Sequence, residues 1–332
     1  MTMKYHDYAP ALKHGAKIYP EDLAGMLGLA SVGDIWYVDP GKTSGVSGGG
    51  TSRNDAFLTV TEALAAATAD QDDVILITPS SSTGRTAETA AINWSKRRVH
   101  LIGATSPLAF SPRAGIGFGS AVTSPSLTIS NRSCIFKNIT IAQFNDVESN
   151  ILVDITSAYN YFENVHFQGI GNELTGNDAD ARVVRLNSAD ETTFNSCTFG
   201  LDSVIRTAAN MTLEFTGSKN NSNCVFRNCI FTMIADADAP RHVFVGDSGM
   251  NRFALFDGCI FNDNSDMTSG TVQTDVMDTA SSGDQGGTVL IKDCMMVAAT
   301  GWATTASGVR ILGHSSNATL TTRYSGAINP AA

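Results

Sequence analysis

Charge is scarce in this chain. Of 332 residues only 16% are Asp, Glu, Lys or Arg, well below the quarter usual in soluble domains. What charge there is leans acidic, with a formal net charge of −10. The longest basic run is Lys96-Arg97-Arg98. That is too short to neutralise a track of phosphates, which excludes nucleic acid as a partner. Long apolar runs are missing too. No stretch of eighteen apolar residues occurs, so no membrane-spanning helix is expected. The opening "MTMKYHDYAPALKHGAKIYPEDL" has charges and prolines where a secretion leader has its apolar run. That reading places synthesis in a cytoplasm and predicts that the six cysteines are thiols rather than bridges. Neither a metal nor a cofactor is expected.

What is present is a hydrophobic fraction of 42%, with abundant Gly, Ser, Thr, Asn and Ala. This suits many short strands and tight turns. One phrase recurs: "TTFNSCTFGL" from Thr192, "CVFRNCIFTM" from Cys224 and "ALFDGCIFND" from Ala254. Aligned on the first aromatic, six copies fall at Phe136, Phe162, Phe194, Phe226, Phe256 and, as a worn last copy, Ile291. The steps are 26, 32, 32, 30 and 35 residues, a period that marks a solenoid, propeller or array.

The columns of this alignment choose among those. Three are apolar: the first aromatic itself, then Ile139, Val165, Cys197, Cys229, Cys259 and Cys294, then Ile141, Phe167, Phe199, Phe231, Phe261 and Met296. They read as three stacks facing one interior. Between the first two lies Asn138, Asn164, Ser196, Asn228, Gly258 and Asp293. Asn, Asp and Gly tolerate the left-handed backbone region, and one such residue between two short strands bends the chain. Directly after the first aromatic come Lys137, Glu163, Asn195, Arg227, Asp257 and Lys292, so opposite charges fall side by side in neighbouring copies. In-register parallel strands favour that arrangement. The four cysteines form one interior ladder. With no His column beside it, the ladder reads as small apolar filler rather than a metal or redox site.

This is the pattern of an all-β chain, a single-stranded right-handed parallel β-helix. The Asn-rich bend column between two short strands resembles the pectate-lyase-like β-helix proteins. So do "IWYVDPGKTSG" from Ile35 and "DAFLTVTEALAAATADQDDVILITPS" from Asp55. The resemblance implies a short capping helix over about residues 57–69, closing the first coil against solvent. The domain reading is an N-terminal arm and possible anchor over 1–34, an opening strand and capping helix over 35–73, the β-helix over 74–312, and a C-terminal tail or cap over 313–332. Sugar-active members of such families use Asp, Glu, Arg or calcium. Here the fragment Arg310-Ile311-Leu312-Gly313-His314 is truncated and out of order relative to the polygalacturonase pattern.

Carboxylates gather instead in the inserts between phrases: Asp178, Asp180, Asp236, Asp238, Asp263 and Asp266 are the weak catalytic candidates, with Asp275, Asp278 and Asp284 beyond them. They read either as solvated acidic loops or as a source of the carboxylate pair a glycosidase needs. The arm mixes Tyr5, Tyr8 and Tyr19 with prolines and offers a short helix after Pro20; it reads either as docking on a partner through those tyrosines or as a wrap along the β-helix. Cytoplasmic synthesis together with a β-helix and an arm leads to the expectation of a bacteriophage virion structural protein: a capsid decoration, head fibre or spike. It would be a homotrimer contacting other virion proteins such as capsid or tail, without evident catalysis. Two alternatives stay open. One is a virion-borne polysaccharide depolymerase acting on host surface polysaccharide through an Asp pair. The other is a bacterial carbohydrate-binding β-helix.

Overall fold

The backbone turns left-handed at each position of the bend column. In the computed structural model, φ is 58° at Asn138, 51° at Asn164, 54° at Ser196, 51° at Asn228, 66° at Gly258 and 52° at Asp293. The structure describes residues 19–42, 45–81, 84–144, 150–217, 221–265, 273–279, 286–299, 301–303 and 309–311. At Ser196, Asn228, Gly258 and Asp293 the left-handed residue separates two short strands, as expected, whereas at Asn138 and Asn164 it bends one continuous strand, Ile135–Gln143 and Tyr161–Gln168; successive copies stack in parallel. Phe136 pairs with Phe162, Phe162 with Phe194, Phe194 with Phe226, Phe226 with Phe256, and Phe256 with Ile291. The ladder runs further at both ends. Trp36, Ile75 and Leu101 precede Phe136, and Ile311 follows Ile291.

Stacking fixes ring geometry. The first aromatic column has centroid separations of 4.9, 4.7, 4.8 and 4.6 Å from Phe136 to Phe256. The second, from Phe167 to Phe261, has 4.9, 4.6 and 4.7 Å. These match the spacing of neighbouring strands, about 4.8 Å, so the rings lie face to face one coil apart. All of these phenylalanines are fully buried. Each contributes roughly 2–3 kcal/mol of burial and something further from ring contact.

A second parallel sheet of eight strands closes the solenoid. Its inner row reads Ile92, Leu127, Val153, Val184, Leu213, Val243, Met277 and Ala303. The open N-terminal end is plugged by a helix, Val60–Ala66, shorter than the 57–69 expected. Thr59 and Glu62 form a capping box there. The buried Glu88 carboxylate accepts from Val60 N–H at 2.8 Å and Thr61 Oγ at 2.6 Å. The helix buries Val60, Ala63 and Leu64 against the first coil.

A preceding helix, Pro20–Leu27, lies on the outside of the first sheet. Its Leu23 packs with Tyr37, Val74, Leu76 and Ile102. Hence the outward column of the first sheet is apolar (Tyr37, Leu76, Ile102) where the helix covers it. It then turns to Lys137, Glu163, Asn195, Arg227, Asp257 and Lys292. Lys137 meets Glu163 at 2.8 Å and Lys292 meets Asp257 at 2.7 Å. Arg227 stands opposite Asp257 in register, yet among the described residues no ion pair joins them. So the second half of the segment 1–34 is packed on the solenoid. Tyr19, at its start, is half exposed, and Tyr5 and Tyr8 lie outside the described residues.

The bend column also carries side-chain bonds. Asn138 Nδ2 donates to the carbonyls of Gly103 and Thr105, and Asn164 Nδ2 donates to Asn138 Oδ1 at 2.7 Å. Asn164→Val forces a β-branched residue into the left-handed region and deletes that bond. Its expected cost is roughly 2–3 kcal/mol. Asn164→Gly loses only the bond, about 1 kcal/mol. Chemical denaturation of the two variants checks the difference. Equal losses would remove strain from the account of the bend.

Candidate functional site

The insert carboxylates are mostly engaged with the backbone. Asp178 Oδ1 accepts from Asp180 N–H at 2.8 Å, closing its own turn. Asp238 Oδ1 accepts from Thr274 N–H at 2.6 Å and lies 3.6 Å from the Arg241 guanidinium. Asp263 is buried, and its two oxygens accept from the N–H groups of Ala235, Ser265 and Gln273. Burial pushes the Asp263 carboxyl up, against those three bonds that pull it down. Asp180 and Asp236 are exposed. Asp266 lies outside the described residues, as does Asp284. Asp275 is buried, and Asp278 accepts from its neighbour Thr279 N–H.

Coil stacking sets how close these groups come. Thr207 N–H bonds Gly176 O, and Asp236 N–H bonds Arg206 O. The turn of Asp178 and Asp180 is therefore two coils from that of Asp236 and Asp238, about 10 Å along the axis. Glycosidase pairs lie about 5 to 9.5 Å apart, so the backbone places these two turns at or past the upper edge. Asp238 and Asp263 sit on adjacent coils, but both hold backbone amides. Among the described residues no group of three His, Cys, Asp or Glu could hold a metal ion.

The cysteine ladder is interior throughout. Cys197, Cys229, Cys259 and Cys294 are buried and free, as are Cys134 and Cys224. Sγ of Cys229, Cys259 and Cys294 points at the carbonyls of Phe194, Phe226 and Phe256, 3.4–3.5 Å away. Burial raises the Cys229 and Cys259 thiols well above the usual range. That makes them poor thiolates, and so poor nucleophiles or ligands.

Two surface features were not foreseen from the sequence. An open groove of about 450 Å³ is lined by Asp70, Ser95, Arg97, Asn131, Arg132 and Ser157. Arg97 is paired with Asp70, while the Arg132 guanidinium acts on Asp70 through space and forms no ion pair among the described residues. The second feature is a loop, 104–113, that crosses three coils on the outside of the first sheet. Pro112 O accepts from Thr140, Ser111 N–H donates to His166 Nδ1, and Ala109 O accepts from Thr198. These three outward positions stack in one row, which continues as Ile230, Ile260 and Met295. Beyond the loop the row is apolar and open: Ile260 is 38% and Met295 42% exposed, beside Val297 at 40%. Alternation within each phrase could have located that row. The loop's path could not be read, because its contacts lie 28 to 89 residues away.

Comparison with known proteins bears on the fold. No protein-family model and no curated protein matches this chain. A solved pectate lyase is similar, with 14% identity, a TM-score of 0.54, 80% of this chain covered and 63% of that one. This chain thus corresponds to less than two thirds of that enzyme's length. A pectin methylesterase solved with a hexasaccharide is similar at 13% identity and a TM-score of 0.52, covering 89% of this chain and 93% of that one. A protein of Geobacillus virus E2, ORF18, shares 14% identity with a TM-score of 0.48, covering 90% of this chain and 54% of that one. The chain has the fold of the pectate-lyase-like right-handed β-helix proteins; identities this low extend no further than fold.

His166 fastens the loop and makes a testable device. Its Nδ1 accepts from Ser111 N–H at 2.9 Å, so the proton sits on Nε2 and is donated to Gly200 O at 3.0 Å. Burial lowers its pKa to about 4, with nearby Arg85 adding to the shift and Asp202 opposing it. The folded value lies below the ordinary 6.5, so the neutral ring's contribution is whole above pH 6.5. It is lost as pH falls toward 4. Buried His100 and His242 shift the same way. Acidification from pH 7 to 4 should therefore destabilise the protein, His166 alone supplying up to roughly 3 kcal/mol. His166→Gln should flatten the pH dependence of urea unfolding; an unchanged slope would detach His166 from it.

Proposed function

We propose that this chain is a structural β-helix of a virion, joined to its assembly through the residues ahead of the Pro20–Leu27 helix. The observation that carries the structural over the catalytic reading is the state of the insert carboxylates. Asp178, Asp238 and Asp263 hold backbone amides in place, which is the work of turn-building groups rather than of an acid–base pair. Six buried free thiols fit assembly in a reducing cytoplasm. The open apolar row of Ile230, Ile260 and Met295 fits association with further copies, and a homotrimer about that row is our reading of the oligomer.

A second reading is favoured by the groove at Arg132. A guanidinium lining the groove with Ser95, Asn131 and Ser157 suits the carboxylates and hydroxyls of an acidic surface glycan. In that reading the same protein adheres to host polysaccharide without cutting it.

Removal of residues 1–18, which spares the helices Pro20–Leu27 and Val60–Ala66 and every described coil, should leave a folded β-rich protein that no longer joins its assembly. Ile260→Glu with Met295→Glu should lower the mass measured by light scattering to that of a monomer. Asp178, Asp180, Asp236, Asp238, Asp263 and Asp266 replaced together by Asn should change no enzymatic output. Incubation of the wild type with capsular polysaccharide or lipopolysaccharide is the decisive assay. New reducing ends or unsaturated products, lost in an Asn variant whose folding stays normal, would establish a depolymerase instead.

A further inference from the structure

The interior of the solenoid turns polar at one level. The inner row Val183, Thr212, His242, Val276 and Trp302 runs down the second sheet, between the paired positions that flank it. All five are buried. Beside Thr212 sits Arg206, which is 0% exposed. Its Nη1 donates to Thr212 Oγ1 at 2.8 Å and lies 3.9 Å from Met233 Sδ. Its Nε and Nη2 have no hydrogen-bond partner among the described residues, and neither has either ring nitrogen of His242. Thr212 and His242 stand on neighbouring strands of one ladder, so the guanidinium and the imidazole are about one coil apart. The buried side-chain amide of Gln273 is also unpaired.

Among the described residues no carboxylate answers this cation directly. Asp263 acts on Arg206 through space, but it makes no ion pair with it among the described residues. Its oxygens are taken by three backbone amides. Burial lowers the Arg206 pKa only to about 10, so the group stays charged at neutral pH. Burial and the Arg206 charge together lower His242 to about 3, so that ring is neutral, with one N–H to give. An unpaired buried cation costs several kcal/mol, and each orphaned N–H adds more. Native interiors satisfy such groups with a bound ion or water. Water would meet the N–H groups but leave the charge. The backbone makes room for the guanidinium: Gly200 has φ +91°, and a Cβ there would lie 3.0 Å from Nη2 and 2.2 Å from Thr232 O.

We propose that this cluster is a binding site for a small monovalent anion, chloride in the cell, held by the Nε–Nη2 edge of Arg206 with the His242 N–H as a further donor. The walls at Met233 and Phe261 are apolar, which suits a weakly hydrated halide. The site lies within the solenoid, and the anion would be enclosed as the coils close around it.

The test uses the full-length protein exchanged into sodium gluconate. Sodium chloride, and separately sodium bromide, replaces gluconate at constant ionic strength while thermal melting is followed. The expected result is a saturable rise of about 2–4 °C with either halide, absent in Arg206→Met. A second measurement needs no variant: crystals of protein refolded in sodium bromide should show an anomalous peak within hydrogen-bonding reach of Arg206 Nε and Nη2. Wild-type melting that ignores halide, an equal rise in Arg206→Met, or a bromide map empty beside Arg206 would each overturn the assignment.

Discussion

One dimension governs this protein: the separation of about 4.8 Å between neighbouring parallel strands. It is the distance at which two phenylalanine rings stack, and the interior columns reproduce it at 4.6–4.9 Å. To keep it over many coils, each copy must repeat the backbone of the one beneath. A single coil that bent differently would separate its own rings from both neighbours. The left-handed residue is therefore needed at every step, and the column admits Asn, Ser, Gly and Asp alike because each of them can take that φ.

That requirement explains what the amino-acid order reveals and what it conceals. The first sheet is legible because the Phe, bend and Cys/Val columns recur with one spacing inside a ten-residue phrase. The second sheet repeats just as faithfully in space. Its strands, however, are separated from the phrase by inserts of unequal length, so Leu186, Phe215 and Val245 never fall into one visible column. A short helix after Pro20 is legible in the sequence, but its seat on the first sheet left a trace only in retrospect: Tyr37, Leu76 and Ile102 are apolar where the outward column later carries charge. Alternating charge in that column marked Lys137 with Glu163 and Asp257 with Lys292, but it could not say that Arg227 would stand apart. The insert aspartates looked like possible reactive groups because sequence records a carboxylate and not its hydrogen bonds. Arg206 and His242 were passed over, since each sits alone in an otherwise ordinary strand phrase.

Polar groups in this solenoid divide by what surrounds them. On the second sheet's outer face, Arg185 meets Asp154 at 2.7 Å and Arg182 meets Glu214 at 3.1 Å, between strands already in register. Such pairs add modestly to stability and chiefly penalise a slipped register, because a shift of one residue would set Arg185 opposite the apolar neighbours of Asp154 and Glu214. Inside, the same logic fails for lack of a partner, and Arg206 is left to whatever the interior can enclose.

Stacked-repeat proteins commonly behave as chains of nearest neighbours, each coil stabilised only by the two it touches. The 104–113 loop departs from that rule. By bonding Thr140, His166 and Thr198 on three successive coils, it couples coils that do not touch one another. Unravelling that begins at the C-terminal end can proceed coil by coil through the open Met295, Ile260 and Ile230 levels. At Thr198 it meets a block that must open as a whole. The molecule thus has a mechanical polarity, with a zipper at one end and a clasped bundle at the other. Pulled along its axis, it would lengthen in small even steps and then in one large one.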